Sequence, residues 1–160
     1  MPDKLNKLEK YYAALFVISL FAGIIYGVID KEYFKCCRDA IGVPKGGTSV
    51  LKIFAGNYFL SSVELLTAGL FSLYFNFHTF SVTSSYLNSQ GWLLALPVIL
   101  FIGIFELAGG LFFGLAGIRV AENLLKIKSQ LKPKELFIYG TGLIFIGAVV
   151  EYLLISPLVS

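Results

Sequence analysis

Between Lys52 and Arg119 the chain carries no lysine or arginine, and its only formal charges there are Glu64 and Glu106. Charged residues make up only 14% of the 160 positions, against 57% hydrophobic and 16% aromatic, and the mean hydropathy is +0.79. Soluble domains use roughly 45–50% apolar residues, and one of this size leaves about a third of its unfolded surface exposed, which polar residues must cover. The shortage of charge therefore excludes a soluble domain. Histidine is just as scarce, with His78 alone, and the two cysteines, Cys36 and Cys37, are adjacent. Adjacent thiols cannot staple distant segments, and one histidine with no zinc-like spacing does not fill a four-ligand metal site. His78 reads as a hydrated residue near a span end. There is no Gly-x-Ser-x-Gly, no His-Glu-x-x-His and no phosphate loop. The expectation is a protein that is not an enzyme and holds no metal or cofactor.

What the chain does have is long apolar runs. A helix crossing ~30 Å of hydrocarbon at ~1.5 Å per residue needs roughly 20 mainly apolar residues, and residues 11–29, 92–117 and 136–158 meet that need. Residues 53–74 supply another. Residues 76–91 are rich in Ser, Thr and Asn and read as a connection, with an interfacial or re-entrant half-helix as the alternative. The fold expected is all-α: a single integral-membrane bundle of about four transmembrane helices, five if the segment after residue 75 also crosses. Pro97 falls one turn into the third span, where it is expected to bend the helix.

The basic residues lie in three groups between the apolar runs, which suits headgroups at a membrane surface and gives no stripe for nucleic acid. The amino tail holds Lys4, Lys7 and Lys10; the first loop holds Lys31, Lys35, Arg38, Lys45 and Lys52; the last holds Arg119, Lys126, Lys128, Lys132 and Lys134. Two crossings between Lys52 and Arg119 put both loops on one side, ten basic residues against three, whereas three crossings give eight against five. The positive-inside rule prefers the first arrangement, with both loops cytoplasmic. Tyr11, Tyr12, Tyr33, Phe34 and Trp92 fall where aromatic rings meet headgroups.

Each of the last three expected spans carries one acid: Glu64, Glu106 and Glu151. An ionised carboxylate near the bilayer centre costs at least ~2.5–3.5 kcal/mol, so each must be protonated, paired or exposed to a water-filled cavity. Asn57, Ser61, Glu64 and Ala68 recur at i, i+4, i+7 and i+11, a polar helix face that must look inward. Gly23 and Gly27, and again Gly110 and Gly114, have the small-x-x-x-small spacing that lets helices approach closely in lipid, either within one chain or between subunits. Two roles follow for the acids: polar contacts that pack helices or partner proteins, or a proton or cation pathway. A pathway requires the three glutamates to converge on one polar cavity; packing needs only local partners such as Asn57 or Arg119.

The stretches Phe54-Ala-Gly-Asn57-Tyr-Phe-Leu-Ser-Ser-Val-Glu64, Gly103-Ile-Phe-Glu106-Leu-Ala-Gly-Gly110 and Gly114-Leu-Ala-Gly117-Ile-Arg119 resemble the stage II sporulation protein M family over roughly residues 54–119. Its members look like small multi-spanning proteins with an asparagine at the head of one span, then a Pro-His-Gly-x-x-Glu motif and a small-residue segment ending Gly-x-Arg. Asn57, Gly103, Glu106, Gly117 and Arg119 match those positions. Phe101 and Ile102 stand where the proline and histidine usually are, so no role of that histidine carries over. The resemblance implies a multi-pass cell-membrane component of a larger assembly, partnered by itself or by other membrane proteins. It leaves the molecular activity open.

Overall fold

The computed structural model describes residues 6–37, 49–125 and 132–159. They form five α-helices: α1 Lys7–Ile29, α2 Val50–Leu66, α3 Leu70–Ser89, α4 Leu96–Leu124 and α5 Pro133–Val159. Two short 3-10 helices, Tyr33–Cys37 and Leu93–Ala95, accompany them, and there is no strand among the described residues. The expected all-α bundle is what forms. Helices α1, α4 and α5 are long and apolar enough to cross a membrane.

Residues 53–74 do not make one helix. The chain turns at Thr67, Ala68 and Gly69, where Ala68 (φ 50°) and Gly69 (φ 81°) adopt the left-handed conformation that ends a helix. Residues 76–91, expected as a connection, lie largely inside α3. Pro97 sits in the first turn of α4, where its missing N–H costs nothing, and not within the helix as a bend.

Side-chain contacts fix the directions. Tyr12 meets Ser72, Gly23 abuts Phe77 and Asn88 reaches Val28, so α1 and α3 run parallel. Glu9 meets Arg119 and Tyr12 meets Gly114, so α4 runs opposite to α1. Asn57 faces Glu106 and Leu65 faces Gly117, so α2 runs with α4, and α5 opposes both, with Gly140 beside Gly109 and Gly147 beside Glu106. The helices therefore alternate in direction from first to last. The C-terminus of α1 and the N-terminus of α2 lie at one end of the bundle, and the C-terminus of α4 and the N-terminus of α5 at the other. This is the polarity of the five-crossing alternative, and it differs from that of the four-crossing arrangement, which put both loops on one side. Arg38 and Lys45, and Lys126 and Lys128, lie outside the described residues.

The polar α3 is held in place by what its side chains do. Ser85 Oγ donates to the Asp30 carbonyl (2.6 Å) and Asn88 Nδ2 to that of Val28 (2.7 Å), satisfying carbonyls at the C-terminal end of α1 that have no intrahelical partner. Ser81 Oγ donates back to the Phe77 carbonyl (2.7 Å). Gly23 and Gly27 bring the α1 backbone against α3 so closely that an added Cβ would strike the carbonyl oxygens of Phe77 and Ser81. The glycine spacing in α1 is thus used inside the chain.

The distribution of polarity is inverted relative to a soluble fold. Ser72, Ser81, Ser84 and Ser85 are fully buried, while Leu15, Ile18, Phe21 and Ile25 of α1 and Phe145 and Leu153 of α5 are exposed. An exterior of large apolar side chains, with these hydroxyls inside beside an apolar core, is what a hydrocarbon solvent favours. Tyr11 and Trp92 are exposed as headgroup-level rings should be, but Tyr12 is buried in the core with Phe16, Leu115, Ala116, Ile118 and Leu136, which corrects its placement at the surface.

Candidate functional site

All five helices contribute to one cavity of about 310 Å³. Phe16 of α1, Asn57, Ser61 and Glu64 of α2, Asn76, Thr79 and Thr83 of α3, Gly103 and Glu106 of α4, and Glu151 of α5 are on its wall. The three acids of the expected spans thus come together, and so do Asn57 and Ser61. Among the described residues, no lysine, arginine or histidine lines the cavity.

Each carboxyl group is positioned differently. Glu106 accepts a hydrogen bond from Asn57 Nδ2 across the α2–α4 interface, and Glu151 on α5 lines the same cavity. Glu64 stands apart: it is 4% exposed, and among the described residues its Oε2 has no hydrogen-bond partner. Asn76, on the facing α3, is also 4% exposed with its Nδ2 unpartnered among the described residues.

Glycines make the room these acids occupy. A Cβ on Gly110 would lie 2.8 Å from Glu64 Oε2, and one on Gly147 would lie 2.8 Å from Glu106 Cγ. On Gly114 it would overlap the Tyr12 hydroxyl, and on Gly117 the Leu65 carbonyl oxygen. The second glycine pair is therefore not a plain helix-helix seam. Gly110 is a recess for Glu64, and Gly114 a recess for Tyr12, whose hydroxyl pairs with Ser72 Oγ. Gly103 meets nothing within 4 Å, so its missing side chain leaves cavity volume.

Arg119, matched by the resemblance, does not reach the cavity. It is fully buried and holds Glu9 through two contacts, from Nε and from Nη2 to the two carboxylate oxygens. Glu122 stands 4.0 Å from its Nη1, and Asn6 Nδ2 donates to the other oxygen of Glu122 (2.7 Å). Glu9 also closes the capping box of α1 with Asn6. This cluster ties the start of α1 to the end of α4, and removes Arg119 from the count of loop charges.

Sequence reasoning missed Asn76, Thr79 and Thr83. The signal was there: Ser72, Asn76, Thr79 and Thr83 have the same i, i+4, i+7, i+11 spacing as the Asn57 face, and only the reading of 76–91 as a loop concealed it. Glu9 and Glu122 were missed because each lies among charges near a helix end. His78 lies outside the cavity; Tyr33 Oη is 3.1 Å from its Nδ1, and Tyr74 stacks on its ring. The side chains of Phe101, Ile102, Cys36 and Cys37 are not among those described. Set against family models, curated proteins and solved structures, the chain finds no match in any of the three.

Proposed function

We propose that the protein is a multi-pass protein of the cell membrane that carries protons or other cations through its bundle, with Glu64, Glu106 and Glu151 as the groups that bind them. One observation carries this reading: three carboxyl groups from three helices line a single cavity that, among the described residues, has no basic side chain on its wall. An ionised carboxylate in hydrocarbon is costly, and three with no countercharge are tolerated where protons or a cation neutralise them. Glu106, hydrogen-bonded to Asn57, suits the holding of a proton; Glu64, whose Oε2 has no partner among the described residues, suits exchange with what enters.

Packing accounts less well for the same residues. A packing role needs each acid bonded to a neighbouring helix, and Glu64 has no such bond through Oε2 among the described residues. Gly23, Gly27, Gly110 and Gly114, which could have served contacts between subunits, face the chain's own helices.

The test is flux into liposomes carrying the purified protein, under imposed pH and potential gradients. Wild-type protein is expected to conduct, and Glu106→Gln and Glu64→Gln each to lower the rate by roughly tenfold or more, the scale of losing one charge-assisted contact. Absence of flux under both gradients would refute the reading.

A further inference from the structure

We propose that the cavity takes a small hydrophobic organic ammonium ion, with its nitrogen at Glu64 and its hydrocarbon body among Phe16, Phe75 and Phe80. This rests on the cation reading above and narrows it to a class of cargo.

Size and lining are the first argument. A bare metal ion needs a close shell of about six oxygen ligands, and among the described residues no three acidic, histidine or cysteine side chains stand close enough together to hold one. The cavity instead has about 310 Å³ and a largely apolar wall. That falls at the lower end of the ~300–1,000 Å³ typical of organic-ligand sites, which are apolar with a few placed polar groups.

The polar groups give the second. Glu64 Oε2 and the Asn76 amide are each almost completely buried, line the cavity and have atoms unpartnered among the described residues. Buried polar groups are nearly always satisfied, so these two are placed for something that enters. An ammonium N–H donates to the Glu64 carboxylate. A turn of the Asn76 amide brings its oxygen toward a second N–H, since the two ends of an amide are interchangeable by rotation. Phe75 and Phe80 flank Asn76 on α3, and Phe16 approaches from α1. Aromatic faces attract a cation within about 6 Å and accept its alkyl or aryl body equally well. Gly110 contributes by omission: any side chain there would displace Glu64 from its position.

The experiment uses the full chain in lipid nanodiscs, with empty nanodiscs as the reference for partition into lipid. The probes are 2-phenylethylamine, an alkylammonium at neutral pH like the lysine side chain, and 2-phenylethanol, its neutral counterpart of nearly the same shape. By calorimetry the amine is expected to bind saturably at one site per chain, and the alcohol roughly tenfold to a hundredfold more weakly. Glu64→Gln should bring the amine down to the level of the alcohol and leave the alcohol unchanged. Equal binding of the two probes to wild-type protein, or no saturable amine binding, would overturn the proposal, and that comparison needs no variant to fold. The two readings fail separately. Proton flux that Glu106→Gln abolishes, in protein that does not bind the amine, would remove the ammonium assignment and keep the pathway. Amine binding without flux of any cation would keep the assignment and remove the transport.

Discussion

The contact between Glu9 and Arg119 ties the first helix to the fourth, and its strength can be worked out before it is measured. Both side chains are completely buried, and the guanidinium meets both carboxylate oxygens. Two unit charges about 4 Å apart attract by ~4 kcal/mol at an effective dielectric constant of ~20. Arg119→Met removes the cation and leaves Glu9 and Glu122 buried without it, which should cost ~3–5 kcal/mol. Glu9→Gln is milder: Arg119 keeps Glu122 at 4.0 Å, and the new amide oxygen still accepts from the Asn6 N–H, so the loss is that of one charged hydrogen bond, ~1.5–3 kcal/mol. The double variant buries neither member of the pair unpaired. It should therefore lose less than the sum of the two single variants, by ~2–3 kcal/mol of coupling. Equilibrium unfolding of the protein in mixed micelles, followed by helical circular dichroism across the four proteins, measures that coupling. Additivity within ~0.5 kcal/mol would mean that α1 and α4 do not meet at this pair, and the helix directions built on it would fall too.

Two further outcomes follow from the same geometry. Gly27→Ala places a methyl against the Ser81 carbonyl oxygen, 2.8 Å from Ser85 N, and should cost ~1–3 kcal/mol by overpacking α1 on α3, whereas Gly56→Ala meets open space and should gain ~0.5–1 kcal/mol of helix stability; equal effects in the same unfolding assay would refute the close α1–α3 approach. Alternating helix directions place Glu32 and Lys132, both exposed, at opposite ends of the bundle. In a chain with Cys36 and Cys37 replaced by serine, Glu32→Cys and Lys132→Cys should react with an impermeant maleimide from opposite faces of the membrane, and labelling from the same face would restore the four-crossing arrangement.

Much of the fold was legible because the solvent is simple. Runs of apolar residues announced α1, α4 and α5, since a spanning helix has only to be long and apolar. The expectation failed where the chain spends polarity inside. In α3, Ser81, Ser85 and Asn88, which read as part of a loop, are hydrogen-bonded to the end of α1 or to their own preceding turn, and a composition rule cannot distinguish a hydroxyl facing water from one facing a carbonyl. The turn at Thr67–Gly69 was hidden for the opposite reason, because Ala68 has no business at φ 50° by its own preference; the packing of Tyr12 against Gly69 and of Gly117 against Ala68 holds it there.

The site shows the same division between what one helix can report and what only two can. Periodicity on α2 put Asn57, Ser61 and Glu64 on one face, and that face does line the cavity. It could not say which partner each would meet. Glycines and glutamates looked like two separate signals in the sequence, helix packing and intramembrane charge, yet Gly110 is the space Glu64 occupies and Gly147 the space Glu106 occupies. A missing side chain on one helix and an acid on another become a single feature only when the helices are side by side. The same holds for Arg119: it borders the stretch that lacks lysine and arginine, yet which acid it would meet is seen only in the bundle, where it pairs with Glu9 and does not line the cavity.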